Sequence, residues 1–301
     1  FQRNSLEECY QQIVSDLQSA VRLLKGLKST TTYRANEMAA RLLLSRVFLY
    51  QGEWENVIKQ CDTILMDKSY SLLDYNTLTT TSNVISAKSP ETIFTSGATT
   101  YTNTPFLPFI NYYFRASEEI LAAYSSNDLR RKFYFRGYSA YAPRKMLNTK
   151  DGSCSDFFLL RLPEVYLNKA EALAMLEKTT EAIETIQTLR EQRVKTGTLE
   201  DLQLSGEELV NYIRNERRLE LTFEGQRWFD LRRYAVCPKW PFQKEIHHPY
   251  YVETEIKGAR VLRKYDEEPE FYVLPLPENE IVLNGGTLIQ NATREQKSEV
   301  M

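Results

Sequence analysis

AARLLLSRVFLYQGEWENVIKQCDTIL, residues 39–65, decides the fold. Apolar residues recur at three and four, with Ala39, Ala40, Leu43, Val47 and Tyr50 on one stripe, which predicts a helix over 35–50. Gly52 breaks it, and Trp54 opens a second helix with Val57, Ile58, Cys61 and Leu65 inward. A link of so few residues forces the two helices to lie antiparallel.

The same device recurs on both sides. Upstream, Ile13, Leu17, Ala20, Val21 and Leu24 mark a helix from Ser5 to Leu24, and Ser5 with Glu8 forms a capping box. Downstream, LLRLPEVYLNKAEALAML predicts a helix over 159–176, with Pro163 near its start and the small Ala170 and Ala174 facing a close neighbour. Its partner runs over 179–195 with Ala182, Ile186 and Leu189 inward. Ser205 with Glu208 caps a further helix that ends near Phe223. About three such antiparallel pairs make a tetratricopeptide-like stack. The expected fold is therefore all-α, a helix-pair scaffold carrying long irregular insertions. It forms one domain over 1–301: scaffold at 1–70 and 159–234, insertions at 71–158 and 235–292, and a loose tail at 293–301. Strand-like pieces such as Tyr250 to Ile256 sit in the second insertion.

Composition removes several function classes. The 301 residues carry 38 Lys and Arg against 40 Asp and Glu, so the basic footprint of a nucleic-acid binder is missing. No apolar run approaches a membrane-spanning length. Cys9, Cys61, Cys154 and Cys237 form no CxxC pair, and three of them read as buried small hydrophobes in or near helices. The two histidines, His247 and His248, are adjacent and point different ways, so they make a poor chelate and leave little for a histidine-dependent hydrolase. Asp74, Asp128 and Asp151 stand in no loop resembling an EF-hand. No cofactor and no metal are expected.

Aromatic content is the unusual statistic: 19 Tyr, 14 Phe and 3 Trp. Residues 101–141 hold 12 aromatics in 41 residues, against about five at the chain's average. A sugar offers an apolar C–H face to a ring and a hydroxyl rim to Asn, Asp and Arg. Most of these rings are expected to anchor the insertion, and Ile120, Leu121 and Tyr124 look helical and core-facing. The ligand-binding candidates are Tyr101, Asn103, Phe106, Asn111, Tyr112, Tyr113 and Arg115, which lie among Thr, Asn and Pro. Asp128, Arg130, Arg131 and Arg136 flank them as further polar candidates. Trp240, Phe242 and Tyr250, with Tyr251, form a secondary cluster.

Glu216, Glu220 and Glu224 recur every four residues among Arg217, Arg227, Asp230, Arg232 and Arg233. One reading is a carboxylate pair for glycoside hydrolysis. The other, favoured here, is an ion-pair lattice that pins this helix to the neighbouring pair, with Leu219, Phe223, Trp228, Phe229 and Leu231 adding buried surface.

Four stretches resemble the SusD/RagB family. They are residues 39–65 above, LRLPEVYLNKAEALAML from Leu160 followed by EAIETIQTLREQR from Glu181, IRNERRLELTFEGQRWFDLRRY from Ile213, and FYVLPLPENEIVLNGGTLIQN from Phe271. SPETIF at Ser89 and NDLRR at Asn127 match more weakly between them. The third stretch is the most specific. The resemblance implies a non-catalytic, surface-exposed outer-membrane lipoprotein. It would bind an oligosaccharide and hand it to a SusC-like TonB-dependent transporter. One branch of the family takes peptides instead, and a glycosidase is the remaining alternative. Family members are longer at the N-terminus, so the lipid anchor and signal peptide are expected outside this chain. At the C-terminal end, Asn284-Gly285-Gly286 stands where the family often has Asn-Pro.

Overall fold

A computed structural model describes residues 3–27, 29–79, 82–99, 116–136, 139–145, 154–252 and 255–292. In chain order the elements are α1 (Leu6–Leu24), α2 (Glu37–Gln51), α3 (Trp54–Met66), β1 (Thr92–Thr99), α4 (Glu118–Ala122), α5 (Arg130–Tyr134), β2 (Phe135–Arg136) and β3 (Ser139–Pro143). There follow β4 (Cys154–Arg161), α6 (Leu162–Met175), α7 (Thr179–Glu191), α8 (Gly206–Glu220), α9 (Arg227–Ala235), β5 (Ile246–Val252), β6 (Glu255–Leu262) and α10 (Glu278–Leu283). The chain divides into two compact units, Gln12–Arg227, and Phe1–Gln11 with Trp228–Met301.

The first unit is the helical scaffold. Asn36 caps α2 by accepting the Ala39 N–H at 2.9 Å. Gly52 ends it at φ 75, a left-handed conformation that turns the chain straight into α3. α2 packs on α3, α3 on α6, and α6 on both α7 and α8. Leu42, Val57, Cys61, Ile64, Val165 and Ala172 are fully buried in one shared core. Val14, Leu17 and Val21 lay α1 against it. Ala170 and Ala174 are buried, as their spacing predicts, and nearly all of α6 is enclosed.

Several local expectations need correcting. On α2 Ala39 and Ala40 are buried as the stripe predicts and Leu43 and Tyr50 are half-buried against the core, but Leu42, Leu44, Phe48 and Leu49 are buried as well, because α3 and α6 cover more than one stripe of the helix. Ile13 is exposed, so the contact stripe of α1 runs through Val14 instead. Residues 159–161 are not helical: they finish β4, and α6 starts where the Leu162 N–H donates to the Glu91 carbonyl at 2.8 Å. The Ser5–Glu8 box is formed in both directions, at 3.1 and 2.8 Å. Ser205, by contrast, makes no capping hydrogen bond, and Gly206 at φ 55 sets the entry into α8. Of the three cysteines whose side chains the structure describes, Cys61 is buried. Cys9 is exposed and Cys237 half-buried. Burial pushes the Cys61 thiol up to about 12, so it packs as an inert hydrophobe.

The described parts of the insertion between α3 and α6 carry regular structure. β1 and β4 pair antiparallel from Thr92↔Arg161 to Thr99↔Cys154. β2 and β3 form a second small ribbon. A second core joins Tyr75, Ile120, Leu121, Tyr124, Phe133, Tyr134, Phe135 and Leu219.

In the second unit β5 and β6 form an antiparallel ribbon, from Ile246↔Leu262 to Val252↔Glu255. Trp228 stacks on Tyr272 with centroids 5.2 Å apart. On α9 the buried side carries Asp230, Leu231 and Tyr234. Phe229 lies off that side and is exposed, contrary to expectation.

Candidate functional site

The carboxylates singled out on α8 lie at the centre of a buried ion lattice. Glu220 pairs with Arg161 at 2.6 Å, Arg193 at 3.0 Å and Arg130 at 3.4 Å. Glu216 pairs with Arg130 at 2.9 Å and Arg190 at 3.5 Å. Beyond α8, Phe223 at φ 69 and Gly225 at φ 75 turn the chain back. Glu224 thereby reaches Arg161 at 2.6 Å and also meets Lys145. Glu91 bridges to Arg193 at 2.6 Å, and Asp128 to Arg130 at 2.6 Å. Five carboxylates therefore meet five cations, and that balance makes burial tolerable. Tyr75 lies 4.3 Å from the Arg193 guanidinium, and Tyr134 lies 4.1 Å from the Lys145 ammonium.

These contacts set the proton chemistry. Burial alone would raise the Glu220 carboxyl, but Arg193, Arg161, Arg130 and Lys145 outweigh it and hold the group well below its ordinary range. Glu224 is lowered in the same way by Arg161 and Lys145. Burial dominates at Lys145 and brings it down to about 8. Glycoside hydrolysis needs a carboxylic acid with a raised pKa, and Glu220 and Glu224 are shifted the other way. The geometry is that of an ion-pair lattice.

Sequence reasoning found the glutamates but not their partners. It placed Asp128 and Arg130 on a ligand-facing rim, whereas both are buried in the lattice. It passed over Glu91, Lys145, Arg161 and Arg193 entirely. A signal was present in the resemblance itself. SPETIF contains Glu91, NDLRR contains Asp128 and Arg130, and LRLPEVYL contains Arg161. EAIETIQTLREQR contains Arg193, and IRNERRLELTFEG contains all three glutamates.

The primary ligand candidates Tyr101, Asn103, Phe106, Asn111, Tyr112, Tyr113 and Arg115 lie outside the described residues. The structure does show how their segment is tethered. On the entry side, β1 is paired to β4. On the exit side, Ala116 is buried and α4 plants Ile120 and Leu121 in the second core. The Tyr124 hydroxyl donates to the Leu219 carbonyl at 2.8 Å and lies 2.9 Å from Thr222 Oγ1. Tyr124, Phe133, Tyr134 and Phe135 are anchors packed edge to face, so these rings of the aromatic-rich stretch serve the core.

The secondary candidates fall in the second unit. Trp240 is half-buried at φ 58, a conformation that costs a bulky residue about 1–3 kcal/mol. Phe242 is half-buried, and its N–H donates to the Tyr234 carbonyl at 3.0 Å. Tyr250 sits on β5 opposite Gly258 of β6. A shallow groove of about 450 Å³ runs along α3, lined by Glu55, Ile58, Lys59, Asp62, Thr63, Met66 and Lys178. It has no aromatic ring and so offers no stacking platform. Among the described residues, no cluster of His, Cys, Asp and Glu is placed to hold a metal ion, and no helix is long and apolar enough to cross a membrane.

Known proteins share this architecture. A SusD superfamily protein from Bacteroides thetaiotaomicron superposes with a TM-score of 0.75 at 21% identity, over 97% of this chain and 68% of that one. Surface glycan-binding protein A from the same species, in complex with laminarihexaose, gives 0.63 at 17% identity over 94% and 70%. Two SusD-like proteins of Formosa agariphila are similar in sequence. One is 31% identical over 160 residues, 51% of this chain and 29% of the relative. The other is 44% identical over 85 residues, 26% and 17%. The matched segments thus span less than a third of these curated relatives. The model of the SusD family matches residues 63–293, a span that holds every member of the ion lattice, and the chain belongs to that family.

Proposed function

We propose that this chain is the scaffold and part of the binding surface of a non-catalytic, cell-surface glycan-binding protein. It would work beside a SusC-like TonB-dependent transporter of the outer membrane, capturing an oligosaccharide for uptake. The observation that carries this reading is the family match over 63–293, combined with a helical scaffold that tethers both ends of the ring-rich segment. A structural relative binds laminarihexaose, which makes a glucan a natural first probe. Shallow aromatic platforms give micromolar to millimolar affinity, since few kcal/mol survive the ordering costs. The ligand surface is assigned to Tyr101, Asn103, Phe106, Asn111, Tyr112, Tyr113 and Arg115, with Trp240, Phe242 and Tyr250 as a second patch.

Binding without bond cleavage is supported by Glu220 and Glu224, both held ionised by arginines. A glycan panel with Tyr112→Ala and Tyr113→Ala tests the assignment: weaker binding by either variant supports it, and unchanged binding by both overturns it. Saturable binding of mixed peptides, with no response to sugars, would assign the chain to a peptide-binding role instead.

A further inference from the structure

We propose that the C-terminal end of α8 is a proton-linked latch for the insertion between α3 and α6: the insertion docks there through Lys145, and undocking is favoured by acid and opposed by alkali. The latch stands whatever ligand the chain binds, so its failure and that of the glycan-binding function are separate.

An α-helix leaves its last carbonyls without an intrahelical partner, and its C-terminal end attracts cations. At the end of α8 side chains of the insertion take those places. The Tyr124 hydroxyl donates to the Leu219 carbonyl at 2.8 Å. The Glu220 carbonyl accepts from Arg161 Nη2 at 2.8 Å and from Lys145 Nζ at 2.5 Å. Lys145 Nζ also donates to the Thr222 carbonyl at 3.1 Å and to Glu224 Oε1 at 2.5 Å, so the three N–H groups of the ammonium meet three acceptors. The turn that offers two of these acceptors is strained. Phe223 stands at φ 69, where a bulky side chain is disfavoured, and its ring meets that of Phe135 on β2 edge to face at 5.6 Å. Such backbone persists only where its surroundings over-determine it, and it is found at switch regions. Here the surroundings are the insertion. Leu219 of α8 also shares the second core with Ile120 and Leu121 of α4, so the latch fixes the exit side of the ring-rich segment.

The proton enters at Lys145, whose side chain is 0% exposed. Glu224 faces it from the turn, Glu220 from α8, Arg161 from the end of β4, and the Tyr134 ring from α5 at 4.1 Å. Arg144 beside it donates to the Lys132 carbonyl at 3.4 Å. Burial is the largest influence, and together with Arg161 it outweighs the two glutamates and brings Lys145 down to about 8. Its neighbours titrate elsewhere: Glu220 and Glu224 are lowered, and Arg161 and Tyr134 are raised. Undocked, the amine faces water and returns to its ordinary 10.5. Between those values the undocked form holds more protons, so docking strengthens as pH rises through the window and weakens as pH falls toward 8.

Hydrogen exchange of the full chain, followed by peptide at pH 7 and pH 9 and corrected for intrinsic rates, tests this. Residues 118–135 should open about tenfold more often, or more, than residues 165–174 of α6, which lie in the scaffold core. Their opening constant should fall about tenfold from pH 7 to pH 9. Lys145→Met should remove that pH dependence. Glu224→Gln takes away an anion that holds the proton on, so it should move the onset below pH 8, and it keeps the test decisive if Lys145→Met does not fold. Opening of residues 118–135 only together with α6 would mean that no separate latch exists. Separate opening that is equal at both pH values overturns the proton linkage. A pH dependence that survives Lys145→Met overturns the role given to Lys145.

Discussion

Glu220 shows what a single side chain can carry in this protein. Its carboxylate faces Arg130, Arg161 and Arg193, delivered respectively by α5, the end of β4 and the residues after α7. Glu220→Gln leaves those guanidiniums without their shared counter-charge. It should destabilise the fold by about 3–5 kcal/mol in equilibrium urea unfolding. Lys145 makes the opposite case, a cation whose burial brings it down to about 8 from an ordinary 10.5. Between those values the unfolded chain binds more protons than the folded one, so this group's contribution to stability grows as pH rises through the window. It is fully present above 10.5 and lost as pH falls through 8. The difference in unfolding free energy between wild type and Lys145→Met should therefore shift by about 3 kcal/mol in favour of wild type from pH 7.5 to 10.5. A pH-independent difference would mean that Lys145 is not buried as a cation. The glutamates of this lattice were legible in the sequence because four-residue spacing is a local signal. Their partners were not, because the pairing of Glu91 with Arg193 joins residues 102 apart, and only the folded chain brings them together.

At the scale of the element, local signals decided what could be read. The helix pair at 39–65 was legible from periodicity and from Gly52, each of which acts within a few residues; the Asn36 cap adds to them in the structure. Asn36→Ala should cost about 1 kcal/mol, because the side chain satisfies an otherwise orphan N–H. Ser205→Ala should be close to neutral, because Ser205 caps nothing. Equilibrium unfolding of the two variants side by side checks the contrast. Leu42→Ala, at a fully buried position of α2, should cost about 2–5 kcal/mol. β4 was the element the sequence concealed. CSDFFLLR runs directly into LPEVYL with no turn residue between, so periodicity alone cannot separate strand from helix. Its strand character comes from pairing with β1, some sixty residues earlier.

At the scale of the molecule, the stretches that carried the family resemblance and the residues that hold the scaffold together largely coincide. Periodicity and spacing thus made the helix pairs legible, and the glutamates of the lattice, but not the cations that meet them. Ligand choice was less legible, since stacking on a sugar depends on where the backbone places a ring. Trp240 shows how little the letters say about where a ring is placed: its backbone is left-handed, and the residues around it offer only two prolines as a signal. The proposed division of labour is a braced helical frame, ring-bearing segments that grip a glycan, and no chemistry on the ligand. Titration of the full chain with an oligosaccharide panel, assayed in parallel for newly released reducing ends, tests that most directly. Saturable micromolar to millimolar binding with no new reducing ends is the predicted result. Release of reducing ends, or no binding to any glycan, would contradict it.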